Sequence, residues 1–211
     1  MDLVSYLTEI YGYDTPIFIK DVRIGRKSKS AIREEFYRAT KSGKLERSNC
    51  GVYFVRSNKE FGSGIIFTDI LKSKFLFSGN TPEYMEELYI SGYYSGQTFL
   101  NIIGISEQVP AVVEITTNNT SSKKAYYSSG KSVAILRKPK TTINFQNWKI
   151  LQFLEMFSYL TLEEVKNKKD IIINYAKKNQ LSKQQFIKYI GLFSPKTMKK
   201  IVEGGIINAF I

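Results

Sequence analysis

Residues 17–56 read IFIKDVRIGRKSKSAIREEFYRATKSGKLERSNCGVYFVR, and this stretch decides the predicted fold of the N-terminal part of the chain. A short apolar segment leads into a basic turn, and a helix with a basic start follows. Two β runs, Lys44–Arg47 and Gly51–Arg56, then flank a polar turn at Ser48 and Asn49, which is typical of a hairpin. This order of elements predicts a winged helix-turn-helix, with the hairpin as its wing.

Periodicity and capping residues predict where the helices of this part begin and end. Apolar residues at helical spacing predict a first helix over residues 2–11, and a short turn-like helix is expected over residues 20–25. Ser28 or Ser30 can cap the next helix, because a serine hydroxyl accepts a hydrogen bond from an unpaired backbone N–H group. That helix is predicted to run to about Lys41.

Basic residues are concentrated in this part of the chain. Residues 20–59 hold 12 Lys and Arg against 4 Asp and Glu, so they contribute +8 of the total formal charge of +12. Such an excess favours an anionic partner, with nucleic acid as the first candidate and an anionic membrane surface as the second.

The start of the long helix is the strongest candidate site in the sequence. Helix N–H groups and serine hydroxyls can hold a phosphate, while Lys and Arg neutralise the DNA backbone. Arg33 lies one turn into the helix, where it can reach a guanine edge with two hydrogen bonds. Lys29, Arg33 and Tyr37 recur at a spacing of four, so they share one face of the helix. Ile32 and Phe36 point the other way, into the predicted core.

The predicted wing adds basic residues that can contact phosphate or the minor groove. Together, the predicted DNA-binding residues are Arg26, Lys27, Ser28, Lys29, Ser30, Arg33, Tyr37, Lys44, Arg47 and Asn49. The alternative is a solvated basic surface, in which arginines of the helix pair with Glu34 or Glu35.

The pattern changes after residues 61–64, which are the best linker candidate because two glycines and a serine fall together there. We therefore predict two domains, a winged helix over residues 1–60 and a C-terminal mixed α/β domain over residues 61–211. The second domain is expected to hold a small antiparallel sheet and to end in helices, so the fold class is α+β. Its expected strands are residues 88–90, 111–117, 123–128 and 132–137, and its expected helices are residues 68–74, 96–103, 144–159, 161–178, 182–190 and 194–209.

A second group of basic residues lies on the last two β runs and just beyond them. Its members are Lys123, Lys124, Arg137, Lys138 and Lys140. They either form a second basic face that extends a DNA footprint, or belong to a solvated hairpin edge that lysines keep from pairing with other strands.

The residue inventory argues against catalysis. Histidine is absent, so it cannot act as a general base or a metal ligand. Cys50 is the only cysteine, which excludes a cysteine-rich zinc site and an internal disulfide. Residues 125–132 nearly match a phosphate-loop pattern, but Ala125 stands in place of the first glycine and a strand follows where that motif needs a helix. We therefore expect no enzyme activity, no cofactor and no metal.

The expected location is the cytoplasm. No run approaches the ~20 apolar residues that span a bilayer. Asp2 and Glu9 lie where a signal peptide would have a basic segment and an apolar core, so no signal peptide is expected. A single thiol fits a reducing compartment.

Two groups of motifs resemble AbiEi-type antitoxins, which belong to abortive-infection, type IV toxin–antitoxin systems. The N-terminal motifs are YGYDTPIF at residues 11–18 and GRKSKSAIR at residues 25–33. The C-terminal motifs are GYYSG at residues 92–96, QVP at residues 108–110, EITTNNTSS at residues 114–122 and LRKP at residues 136–139. The likeness spans about residues 3–160.

This resemblance implies a cytoplasmic bacterial protein with two roles. The winged helix would bind inverted repeats in its own promoter and repress the operon, with Lys27, Lys29, Ser30 and Arg33 at the matched motif positions. The C-terminal domain would counter a nucleotidyltransferase-like toxin without requiring a direct, stable complex with it. Because one recognition helix reads few base pairs, a dimer or two bound copies are expected on an inverted repeat of double-stranded DNA.

Two other functions compete with an autorepressor and antitoxin. The first is a plain winged-helix regulator whose C-terminal domain only dimerises or senses a ligand. The second is an enzyme that acts on nucleic acid or nucleotides, which would need a carboxylate cluster or a phosphate loop.

Overall fold

The computed structural model describes four stretches of the chain, residues 2–48, 51–57, 64–77 and 89–210. Their helices and strands confirm the predicted α+β class. The chain divides into two compact units: the first comprises Met1–Tyr89 and Ser128–Ser132, and the second comprises Ile90–Tyr127 and Val133–Ile211. The boundary predicted at residue 60, the residues Asn49 and Cys50, and most of the linker predicted at residues 61–64 lie outside the described stretches.

The first unit contains three α-helices, a π-helical turn and a two-stranded sheet among its described residues. They are α1 (Leu3–Tyr11), α2 (Lys29–Lys41), β1 (Glu46–Arg47), β2 (Tyr53–Phe54), α3 (Phe67–Leu71) and the π-helical turn Lys72–Leu76. β1 and β2 pair antiparallel, as expected for a hairpin. Ile17 joins them through an isolated antiparallel bridge to Tyr53, so the segment before α2 is tied to the hairpin.

Side-chain caps begin both long helices of this unit. Asp2 Oδ1 accepts a hydrogen bond from Ser5 N at 3.0 Å at the start of α1. Ser28, rather than Ser30, caps α2, since its Oγ accepts from Ala31 N at 3.2 Å. The helix expected over residues 20–25 is instead a turn in which Asp21 N donates to Phe18 O at 2.9 Å. A single hydrogen bond of this kind closes a turn. It is not enough to start a helix, because forming the first helical turn is the unfavourable step of helix formation.

The core of the first unit forms around α2. Its inward residues Ile32, Phe36 and Ala39 are buried, as the periodicity predicts. Phe36 is fully buried, and its ring meets the edge of Tyr53 with the centroids 4.9 Å apart. Leu3 and Leu7 of α1, together with Ile17, Val22, Leu45 and Val55, complete this cluster.

Among the described residues, a four-stranded sheet and six helices belong to the second unit, except that the residues at the tip of the hairpin between its last two strands, Ser128–Ser132, are grouped with the first. The strands are β3 (Gly92–Tyr94), β4 (Val113–Thr117), β5 (Lys124–Ser129) and β6 (Ser132–Arg137). The helices are α4 (Gly96–Ile102), α5 (Trp148–Met156), α6 (Leu162–Asn167), α7 (Lys169–Lys178), α8 (Lys183–Ile190) and α9 (Pro195–Glu203), with a final 3₁₀ turn at Ile207–Phe210. The strand expected at residues 88–90 begins later, at Gly92, and Leu88 lies outside the described residues.

The prediction of an antiparallel sheet is wrong, because the sheet is mixed. Its order is β3-β4-β6-β5, in which β3 and β4 are antiparallel while β4 and β6 are parallel. Asn118, which follows β4, is bonded to residues outside β5. Its backbone N–H donates to Ser91 O at 2.8 Å, and its side-chain amide donates to Ile143 O at 2.8 Å and accepts from Ile143 N at 2.9 Å. These bonds hold the turn at Asn118 and Asn119 against Ser91 and Ile143, and β6 rather than β5 pairs with β4.

The C-terminal helices are shorter than predicted. The helix expected over residues 161–178 divides at Lys168, whose backbone leaves the helical region at φ −106° and ψ 18°. The helix expected over residues 194–209 ends at Glu203, since Gly204 and a left-handed Gly205 at φ +71° follow. Thr161 and Glu164 form the capping box that their spacing predicts.

α5 is the centre of the core in the second unit and packs against β3, α4 and α8. Six of its nine residues are buried. The Phe153 ring lies 5.3 Å from Phe157, 5.6 Å from Phe210 and 6.2 Å from Tyr175, measured between centroids. The core of this unit is therefore aromatic and is built on one helix.

Burial on α2 predicts a sharp contrast between two adjacent aromatic residues. Phe36→Ala removes a fully buried ring and should lower the free energy of unfolding by about 3–5 kcal/mol. Tyr37→Ala, whose side chain is 62% exposed, should change it by less than about 0.5 kcal/mol. Urea denaturation followed by circular dichroism measures both values, and similar losses in the two variants would contradict this packing.

Candidate nucleic-acid interface and a buried polar network

The serine hydroxyls at the start of α2 are held in a defined geometry. Ser28 Oγ caps the helix and lies 2.9 Å from Ser30 Oγ. Both residues are exposed. The first turn of α2 therefore presents backbone N–H groups and hydroxyls to solvent beside basic side chains, an arrangement that suits a phosphate.

Lys29, Arg33 and Tyr37 lie exposed on α2, one helical turn apart from each other. Within the described part of the chain, the side chains of Lys29 and Arg33 form no ion pair and no hydrogen bond. We call these three residues the α2 stripe. Lys29 and Arg33 also border a shallow hollow of about 100 Å³, lined in addition by Ile19, Lys20, Val22 and Ile32.

Two other cations of this region are already paired with carboxylates. Lys27 Nζ lies 2.6 Å from Glu35 Oε1, and Arg38 Nε lies 3.0 Å from Glu34 Oε1. Arg38 therefore has the glutamate partner expected for a solvated basic surface. Arg33 has no such partner among the described residues. Lys27, a predicted phosphate contact, would have to leave Glu35 to reach DNA.

The hairpin β1–β2 carries predicted DNA contacts that are exposed to solvent, and one of them also lies near an aromatic ring. Lys44 and Arg47 are exposed, and the Arg47 guanidinium lies 5.7 Å from the centroid of the Tyr53 ring, within range of a cation–π contact. Arg56 forms an ion pair with Glu46 at 2.6 Å. The predicted contact Asn49 lies outside the described residues.

Four of the five residues of the predicted second basic face are exposed. Lys138 N donates to Lys123 O at 3.5 Å, which brings the end of β6 beside the start of β5. The Lys124 ammonium lies 5.1 Å from the centroid of the Tyr126 ring. Lys140 follows within two residues of Lys138.

Arg137 differs from the other four, because its guanidinium binds a carboxylate. Its Nη2 and Nε lie 2.7 and 3.1 Å from Glu114 Oε2. The guanidinium also lies 5.7 Å from the centroid of the Tyr159 ring. The other Glu114 oxygen accepts from Gln97 N at 3.3 Å. Arg137 thus belongs to a partly buried polar network rather than to the exposed basic face.

Glu155 is the centre of this network and was missed by the sequence analysis. Tyr93 OH donates to its Oε2 at 2.7 Å, and Thr116 Oγ1 donates to its Oε1 at 3.0 Å. Tyr159 OH reaches the same Oε1 at 3.4 Å. Burial raises the pKa of the Glu155 carboxyl, while these hydrogen bonds and the charge of Arg137 oppose the rise. The sequence feature that could have indicated this network is a single carboxylate in an otherwise largely apolar stretch of a predicted helix.

Gly96 shows how closely the chain packs around this network. It has a left-handed φ of +56°, and a Cβ at this position would overlap the Glu114 carboxylate. Only glycine combines this backbone conformation with such a close approach. The GYYSG motif therefore has a structural role in seating α4 against β4.

Neither a metal centre nor a membrane span emerges from the described residues. In residues 2–48, 51–57, 64–77 and 89–210, no group of three or more His, Cys, Asp or Glu side chains is placed to hold an ion. Within the same stretches, every helix is too short or too polar to cross a bilayer.

Comparison with protein-family models, with curated proteins and with solved structures yields no match to this chain. The motifs quoted for the antitoxin resemblance are therefore its whole basis.

The buried Glu155 carboxyl predicts a specific pH dependence of stability. Its pKa is raised in the folded state, so its contribution is fully present below the unfolded pKa of about 4.3 and is lost as the pH rises through the folded pKa. Glu155→Gln stays neutral throughout. The free energy of unfolding of the variant, relative to the wild type, should therefore increase between about pH 4 and pH 7, as measured by urea denaturation.

Glu164→Gln is the matched control for this experiment. Hydrogen bonds from the backbone and side chain of Thr161 lower the pKa of the Glu164 carboxyl, so its contribution is present above the unfolded pKa and is lost on acidification. The two variants should thus deviate from the wild type in opposite directions. A Glu155→Gln profile parallel to the wild type would contradict the raised pKa.

Proposed function

We propose that the first unit is a winged helix that binds double-stranded DNA through the start of α2 and the hairpin β1–β2. The order of its elements supports this interpretation. α1 and α2 share one core, the hairpin follows α2, and the bridge from Ile17 to Tyr53 adds a third short β segment. In a winged helix, the second of two such helices enters the major groove.

The unpaired cations of the α2 stripe carry this proposal. Lys29 and Arg33 are exposed one turn apart at the start of a 13-residue helix, whose N-terminus itself favours anions. Lys27 and Arg38 lie beside them but are held by Glu35 and Glu34. Lys29 and Arg33 thus keep their positive charge unpaired, among the described residues, on the face that a groove would meet. Arg33 would read a base edge, and Lys29 would contact phosphate.

We further propose that the chain represses its own operon and acts as an antitoxin of a type IV system, countering a nucleotidyltransferase-like toxin in the bacterial cytoplasm. The ordered motifs shared with AbiEi-type antitoxins support this role. A dimer, or two copies, would bind the inverted repeats of the promoter. The described residues offer no carboxylate or metal cluster that favours the enzyme alternative.

Arg33→Ala should weaken binding to the upstream promoter DNA by about 1–3 kcal/mol and relax the preference for one base. The physical reason is the loss of two hydrogen bonds to a base edge. Arg38→Ala is the matched control, since it removes the same side chain from the same helix but one already paired with Glu34. Titrations by fluorescence anisotropy measure both. Equal effects of the two substitutions, or no binding by the wild type at low salt, would refute the proposal.

Lys29→Ala should act differently from Arg33→Ala. A lysine that contacts phosphate contributes to every sequence alike, so the variant should bind all duplexes more weakly and lower the salt slope by about one. Affinities at several salt concentrations, on promoter and unrelated duplexes, measure this slope. A selective loss on the promoter alone would instead assign Lys29 to base contact.

Co-expression separates an antitoxin from a plain regulator. The wild-type chain should rescue cells from the product of the neighbouring gene, because the proposed protective role resides in the second unit. Arg33→Ala should release repression of a promoter reporter but still rescue growth. Repression without rescue by the wild type would leave the plain regulator, whose C-terminal unit dimerises or senses a ligand.

A further inference from the structure

The second unit contains a long segment without acidic residues. Residues 115–154 hold 7 Lys and Arg and no Asp or Glu. The two carboxylates that border the segment are already engaged, since Glu114 binds Arg137 and Glu155 accepts from tyrosine and threonine hydroxyls. No carboxylate within this segment can therefore neutralise its exposed lysines, which favours an anionic partner.

Strand β5 places an exposed aromatic side chain beside one of these lysines. It is an edge strand in the order β3-β4-β6-β5, and its residues alternate between exposed and half-buried. Lys124 and Tyr126 are two residues apart, so they share its exposed side. Tyr126 is 66% exposed, and the Lys124 ammonium lies 5.1 Å from its ring centroid. Most of the ring remains open to a ligand.

The other lysines lie at one end of the same hairpin. The hydrogen bond from Lys138 N to Lys123 O holds these two residues side by side, and both side chains are exposed. Lys140 follows on the same segment and is also exposed. We call Lys123, Lys124, Tyr126, Lys138 and Lys140 the β5 surface. It combines a flat aromatic ring with several cations within one compact unit.

We propose that the β5 surface binds single-stranded nucleic acid, with a base stacked on Tyr126 and phosphates contacted by the lysines. Stacking on aromatic side chains together with a basic track is the usual means of binding single strands. In a duplex the bases are already stacked and paired, so an exposed tyrosine has no base face to meet. An acidic protein would use the lysines but would give the open ring no stacking partner. This activity is separate from duplex binding by α2.

The test compares three labelled probes with the full chain by fluorescence anisotropy. They are oligo-U, oligo-dT and a duplex of unrelated sequence, each of about 12 nucleotides or base pairs, which matches typical sites on single strands. The wild type should bind at least one single strand more tightly than the duplex. The ratio of oligo-U to oligo-dT affinity tells whether the strand is RNA or DNA. Tighter binding of the duplex than of either strand would overturn the proposal.

Tyr126→Ala should weaken single-strand binding about tenfold, within the range found for loss of one stacked base, and leave duplex binding unchanged. Tyr126→Phe should bind as the wild type, because the ring is kept. Tyr13→Ala is the matched control, since Tyr13 is a 57% exposed tyrosine of the first unit. Unchanged single-strand affinity in Tyr126→Ala, or an equal loss for strand and duplex, would refute stacking. Because this readout is the loss of single-strand affinity caused by Tyr126→Ala, a change in the second unit, its result is independent of the repressor proposal.

Discussion

The burial of the Glu155 carboxylate is the constraint on which the second unit depends. α5 is the most buried helix of its core, so the one carboxylate facing the sheet must find partners there. Tyr93 from β3 and Thr116 from β4 supply them, which fixes α5 against both strands at one register. A buried charge contributes little to stability by itself, but a buried charge without partners is strongly destabilising. This penalty favours the packing of α5 in which Tyr93 and Thr116 reach Glu155.

The small number of carboxylates also determines which surface cations are neutralised. The chain has 19 acidic residues against 31 Lys and Arg, so each ion pair decides which cations stay unneutralised. Glu35 holds Lys27, Glu34 holds Arg38, and Glu114 holds Arg137. Exposed cations that keep no carboxylate partner among the described residues include Lys29 and Arg33 of the α2 stripe and the lysines of the β5 surface. Both proposed binding sites therefore use cations that the acidic residues leave unneutralised.

Capping and periodicity predicted features that depend on neighbouring residues. They gave no information where residues distant in the sequence meet. The cap at Ser28, the inward face of α2 and the exposure of Arg33 all depend on residues within one or two helical turns. The mixed sheet depends on the parallel pairing of β4 with β6, whose partners Val113 and Ala134 are 21 positions apart (134 − 113). Likewise Glu155 meets Tyr93 across 62 positions, so a single-residue pattern gives no sign of that network. Lys27 and Glu35 are eight positions apart, so the spacing of three or four that predicts ion pairs along a helix gives no sign of their contact.

The two basic surfaces differ in the element that carries their aromatic residue, and this difference separates the ligands proposed for them. Tyr37 lies along a convex helix in line with Lys29 and Arg33, so it can follow a groove but offers no platform. Tyr126 lies exposed on an edge strand beside Lys124, where a flat base can approach its ring. Each surface belongs to a unit with a separate apolar cluster. We therefore expect that the proposed duplex and single-strand binding can be abolished one at a time.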